Sequence, residues 1–510
     1  MLAVTQRAWT HVDVGPDGPR VARATLLATT AFPVLLLTLA AALLQLGGVS
    51  PGGPVRGTFF DAVGPELSYV VPLLVVLGCL VGFALREVSA GYAFSAGLVA
   101  KMTVVLGYLL SVATSGRALR DADLAVVLQL LAVTAAVWTI AWLAARRWTN
   151  AWSESAGPGS ARTLMNFQLG IAAASGALML VPALVALVFY PLHLQRWTIA
   201  AGSWLGWLAL ALLVGAFIYR KIQAGRSLPP TMAGLVGLAA MALLACTIRG
   251  IGQLGPEWGY RTLMLGWGMY ALFIVLAMWW VATVRTLPGA KGPPQALIRA
   301  AAVWVSTAGL LAVLLGLKAA LLHRQAEELL WAAAAIALAS AASAAMSVWR
   351  RREGWAFAAA PGVNLAASLV VCYYQRQLAF GQWWILLVQA NVIASASVAL
   401  VWLAARKRLY QLRELTIGSS PLLAIQTVLG VVGNVVLVGL PVISLAVIPS
   451  HLPGWATQVA EPAGWIALGL AALALAWYLR QVAPANLFHV VGGLGLAGGA
   501  LGSLPGEGTF

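Results

Sequence analysis

The chain is a succession of apolar stretches, each close to the roughly 20 residues that a helix needs to cross the hydrocarbon core of a bilayer. Bounded by charges, prolines and glycines, they fall at about 24–46, 67–86, 91–114, 124–145, 165–190, 198–219, 230–248, 262–284, 298–321, 329–349, 355–375, 383–405, 421–447, 463–479 and 484–504. Backbone in hydrocarbon must satisfy its own N–H and C=O groups, so stretches of this length are expected to be helices. Of the 510 residues 61% are hydrophobic and 9% are charged, against about 25% charged in soluble domains. No room is left for a separate soluble domain. Pro361 and Asn364 interrupt the 355–375 stretch, and the last stretch is rich in glycine.

The formal net charge of +16 could suggest nucleic acid, but Lys and Arg are spread over short connections, where positive charge orients helices. Assigned to alternate connections, 21 of the 31 lie on the side of the N-terminus and 8 on the other, with Lys101 and Lys318 inside spans. This predicts a cytoplasmic N-terminus, an external C-terminus and a bacterial inner membrane. The polar tail before residue 24 carries Arg7, Asp13, Asp17 and Arg20; a cleavable signal would begin its apolar core sooner, so the first span is expected to be retained. Cys79, Cys246 and Cys372 each sit in an apolar run without metal or redox spacing and read as packing residues.

Two halves of the chain resemble one another. Gly91-Tyr92-Ala93-Phe94 after Arg86 and Glu87 recurs as Gly354-Trp355-Ala356-Phe357 after Arg352 and Glu353. Trp142 to Arg147 recurs as Trp402 to Lys407, and Gln129 has Gln389 at the same offset of 260. Gln168, Pro191, His193, Leu194, Trp197, Gly206 and Trp207 recur at an offset of 258 as Gln426, Pro449, His451, Leu452, Trp455, Gly464 and Trp465. Repeats in register imply duplication. The expected fold is all-α, a polytopic transmembrane bundle of about 15 spans in two parallel tandem repeats of about seven helices joined by one connecting helix. The expected divisions are a cytoplasmic tail (1–23), a first repeat (24–250), a connecting helix (251–293) and a second repeat (294–510).

No Asp or Glu lies well inside a span, which argues against ion-coupled carriers that place carboxylates in the membrane. Lys101 is the exception to an uncharged interior, about ten residues into its span and so near mid-bilayer at 1.5 Å per residue. Its repeat counterpart is Asn364, and Gln129, Gln389, Gln168 and Gln426 form matched pairs; Asn391 and Asn434 are unmatched. These six residues, Lys101, Asn364 and the four glutamines, are the candidate binding set. They either face a polar cavity near the pseudo-twofold axis, where Lys101 attracts a phosphate or carboxylate, or tie helices together while Lys101 bonds carbonyls or snorkels. Lys318, near a helix end, is expected to snorkel. His193 and His451 read as interfacial turns beside Trp anchors rather than haem or metal ligands, and His11, His323 and His489 have no evident partner. Gly492-Gly493-Leu494-Gly495 lacks the Lys-Ser or Lys-Thr of a phosphate loop. No cofactor, metal or catalytic residue is expected.

Three functions fit. The first is a transporter or carrier of a lipid or anionic metabolite, with a polar cavity between the halves; it lacks an evident energy source. The second is a non-catalytic membrane subunit or scaffold. The third, a transferase on a lipid-linked substrate, would rest on Arg56, Asp61 and Glu66 in the first external loop. The expected partners are the lipid bilayer, an anionic lipid or small anion, and other membrane subunits, with no nucleic acid. A carrier predicts polar residues facing one cavity, a subunit predicts them dispersed and satisfied, and a transferase predicts an external groove.

Overall fold

The computed structural model describes residues 18–46, 55–87, 89–115, 117–148, 158–189, 195–223, 230–251, 254, 257–284, 295–322, 327–350, 352–409, 421–447, 458–459 and 461–502. Among them there is no strand. Twelve helices of the described residues are long and apolar enough to cross a membrane. The first and fifteenth helices below contribute shorter apolar stretches, Ala31–Ala41 and Val428–Gly439, and the last helix is 16 residues long.

The chain divides into two compact units, residues 1–228 with 242–259, and 229–241 with 260–510. The first holds α1 (Gly18–Leu46), the short α2 (Phe59–Val63), α3 (Pro65–Glu87), α4 (Ala90–Thr114), α5 (Asp121–Trp148), α6 (Pro158–Val188), the short α7 (Gln195–Ala201) and α8 (Trp204–Gln223). Helix α9 (Pro230–Gly250) has its second half in this unit and its first half in the other. The second unit continues with α10 (Glu257–Val284), α11 (Gln295–Leu322), α12 (Glu327–Arg350), α13 (Glu353–Gln375), α14 (Phe380–Leu409), α15 (Pro421–Val447), α16 (Pro462–Val482) and α17 (Leu487–Gly502). Pro361 does not end α13, which runs through it.

Within the first unit α3 packs on α4, α4 on α5, α5 on α6 and α8, and α4 on α6. Within the second, α12 packs on α13, α13 on α14, α14 on α15 and α16, and α13 on α15. The same positions are buried in each: Trp142 and Leu143 in α5, Trp402 and Leu403 in α14, Ala93 in α4, Ala356 in α13. Close approach relies on small residues, as expected where lipid supplies no hydrophobic drive between helices. Gly97 lies under the ring of Trp138, and Gly316 faces Ala332 and Ile336 across the α11–α12 contact. The helix starts carry acids where the dipole favours them: Asp121 and Asp123 in α5, Glu327 and Glu328 in α12.

Candidate binding site

Lys101 lies twelve residues into α4 and is 3% exposed. Its ammonium donates one hydrogen bond, to Gln168 Oε1 of α6 at 2.8 Å. Gln168 is fully buried, and its Nε2 has no hydrogen-bond partner. The lysine thus has one acceptor, the amide that supplies it leaves its own donor unused, and among the described residues no carboxylate is paired with the lysine. The Lys101 stem forms part of the wall of an apolar cavity of about 370 Å³, between Leu39 and Leu43 of α1, Leu98 and Leu106 of α4, Leu131 of α5 and Ile171 of α6. A buried cation without a counter-charge is costly in a membrane.

The two matched glutamines of α5 and α14 do something else. Helices α7 and α8 are separated by a break at Gly202 and Ser203, where the regular helical pairing stops and the Ala200 carbonyl accepts from the Ser203 N–H at 3.1 Å. Gln129 Nε2 donates to the carbonyls of Ala200 and Ala201 at 2.7 and 3.3 Å. In the second unit Gln389 Nε2 donates to the carbonyl of Gln458 at 3.0 Å, just before α16. A Cβ on Gly206 would strike the Ala201 carbonyl and lie 3.2 Å from Gln129 Nε2, and one on Gly464 would strike the Val459 carbonyl and lie 3.2 Å from Gln389 Nε2. The break at Gly202 also presses on the α9 backbone at Cys246 and Thr247, leaving no space for a side chain.

Asn364 Nδ2 donates to Ser395 Oγ at 2.8 Å. One turn further on, Asn391 Nδ2 donates to Ser368 Oγ at 2.8 Å, so α13 and α14 share a short polar ladder. Gln426 is 3% exposed and its Oε1 has no partner, while Asn434 donates to the Ala467 carbonyl at 3.4 Å. Within the first unit, then, Lys101 meets Gln168 and Gln129 stands apart; within the second, Asn364, Gln389 and Asn434 each have a separate partner.

Two ion pairs, the second of them buried, were not singled out in the sequence. Asp123 is gripped through both oxygens by Arg117, at 2.8 and 2.9 Å, and also accepts from Tyr108 Oη and the Arg120 N–H. That hydrogen bond to Asp123 holds the Arg117 guanidinium above its usual pKa. Arg261 of α10 donates to Glu328 Oε1 of α12 at 2.9 Å, with 4% and 2% exposure on the two side chains. Lys318 stacks its ammonium 5.3 Å from the centre of the Tyr260 ring, which anchors it by a cation–π contact.

Asp61 accepts from the Gly57 N–H within its own turn and is exposed with Arg56, so the connection between α1 and α3 is locally capped around it. His11, His193, His323 and His451 lie outside the described residues, and among the described residues no group of three His, Cys, Asp or Glu could hold a metal.

By the length and composition of its helices, the chain is a multi-pass helical membrane protein in contact with lipid. Comparison with protein-family models, curated proteins and solved structures finds no match.

Proposed function

We propose that this protein is a membrane carrier for an amphipathic anion, built from two tandem repeats, with Lys101 and Gln168 holding the anionic group and the adjoining cavity taking the apolar part. The observation that carries the reading is the donor surplus at Lys101: a mid-span ammonium with one acceptor, a second unpaired donor on Gln168 and an apolar cavity alongside. Anionic oxygens accept from such donors through charge-assisted hydrogen bonds. The volume lies within the range of small-molecule sites. The repeat reading is supported by the paired glutamines, which reach equivalent carbonyls 71 and 69 residues downstream.

The test is purification in mild detergent followed by mass spectrometry of everything retained. An anionic amphiphile that stays with the wild-type chain and is lost from Lys101→Met is the expected result. No retained anion, with a protein partner in fixed stoichiometry, would overturn it in favour of a non-catalytic subunit. One observation favours that second reading: Gln129 and Gln389 are engaged with backbone carbonyls, as structural ties would be.

A further inference from the structure

We propose that a groove among α15, α16 and α17 holds one acyl chain of a membrane phospholipid, with the lipid phosphate at the Arg480–His489 end. The inference lies wholly within the second unit and is independent of Lys101.

The groove has a volume of about 570 Å³ and is walled by Val435 of α15, Leu468 and Leu475 of α16, and Leu494 of α17. A second cavity of about 350 Å³ continues it past Leu479 to Asn486, sharing Leu475, His489 and Val490. The floor is open because α17 offers little side-chain bulk there. No atom lies within 4 Å of where a Cβ on Gly493 would stand. The last helices of the first unit are tied instead, with Trp207 Nε1 donating to Thr247 Oγ1 at 3.0 Å and Thr247 donating to the Gly202 carbonyl at 2.8 Å.

Length and charge choose the occupant. Asn434 is level with Ala467, to whose carbonyl it donates, and the opposite end is level with Leu479. Leu468 to Leu479 is eleven residues, about 16 Å at 1.5 Å per residue, which is close to half of the roughly 30 Å hydrocarbon thickness. That is one leaflet, the reach of one acyl chain. At the Leu479 end stand the exposed Arg480 in the last turn of α16, with Asn486 and His489 after it, a cation and donors suited to a phosphate.

The experiment uses the full chain in liposomes with phosphatidylglycerol carrying a photoreactive diazirine, either beside the acyl carbonyl or at the chain terminus. Adducts mapped by mass spectrometry are expected on Leu479 and Val490 with the first probe and on Val435 and Leu468 with the second. Gly493→Phe should abolish both sets, and Gly493→Leu, a smaller plug, serves if Phe prevents folding. Gly469→Phe, at an exposed glycine of α16 that does not line the groove, should leave them intact, as should Lys101→Met. Adducts spread evenly over all lipid-facing helices and indifferent to Gly493 would overturn the proposal. So would a reversed order of the two probes, or a co-purifying protein that excludes both.

Discussion

Lys101 and Glu328 are both charged and almost fully buried, yet their substitutions are expected to act in opposite directions. Among the described residues Lys101 has no carboxylate partner and one acceptor, so its charge is held against its own desolvation. Lys101→Met should therefore leave thermal stability in detergent unchanged or raise it, while removing the bound anion. A fall in melting temperature as large as that of a core truncation would instead mark Lys101 as a structural tie. Glu328 is paired with Arg261 in a dry setting. Glu328→Gln takes the buried carboxylate from that guanidinium, which keeps the exposed Glu327 3.6 Å away and the Trp331 ring, and should cost on the order of 3 kcal/mol, read as an earlier transition in an SDS titration followed by circular dichroism. Neither ion pair announced itself in the sequence. Arg117 and Asp123 are separated by six residues across a helix start, and Arg261 and Glu328 by 67, so each reads alone as an ordinary loop or helix-end charge. Lys101 was legible because a charge in mid-span is rare and costly, whereas its neighbour Gln168 gained its meaning only once α4 and α6 were placed side by side.

At the scale of elements, twelve of the apolar runs coincide with helices long enough to cross a membrane among the described residues, including α13, whose Pro361 is accommodated without ending it, while the run at 198–219 is broken at Gly202 and Ser203. Which faces point inward was not legible, because spans that are apolar all round carry almost no directional pattern. The matched glutamines were visible as a pair at one offset; that each reaches a backbone carbonyl was hidden, since the break at Gly202 has no signature apart from glycine. The geometry makes a joint prediction. Gly206→Ala and Gly464→Ala each push a methyl group onto a carbonyl oxygen and should each lose about 1–3 kcal/mol, the usual cost of overpacking. Gln129→Leu and Gln389→Leu should each lose about 0.5–1.5 kcal/mol, the net worth of one hydrogen bond, because the Ala200 and Gln458 carbonyls keep a backbone donor. Parallel losses, measured by SDS titration, support equivalent elements; a large loss in one unit beside none in the other would count against duplication.

For the whole molecule, the alternation of Lys and Arg predicts that every connection can be assigned a side. Reporter fusions at Leu254 and at Arg352 should report opposite compartments, external for the first and cytoplasmic for the second; agreement between them would overturn the assignment. The tie between Gln129 and Ala200 also has a consequence for how such a chain is made. When a chain inserts as it is translated, α5 enters the membrane before its acceptor exists. The acceptor lies 71 residues downstream, which at 5–20 residues per second is roughly 4–14 s of synthesis. Throughout that interval the glutamine amide has no native partner and faces hydrocarbon, water in the insertion channel, or an insertase. The second unit repeats the delay between Gln389 and Gln458. Biogenesis of this protein thus contains two scheduled waits, at which an insertion factor that shelters polar side chains would have its strongest effect on yield.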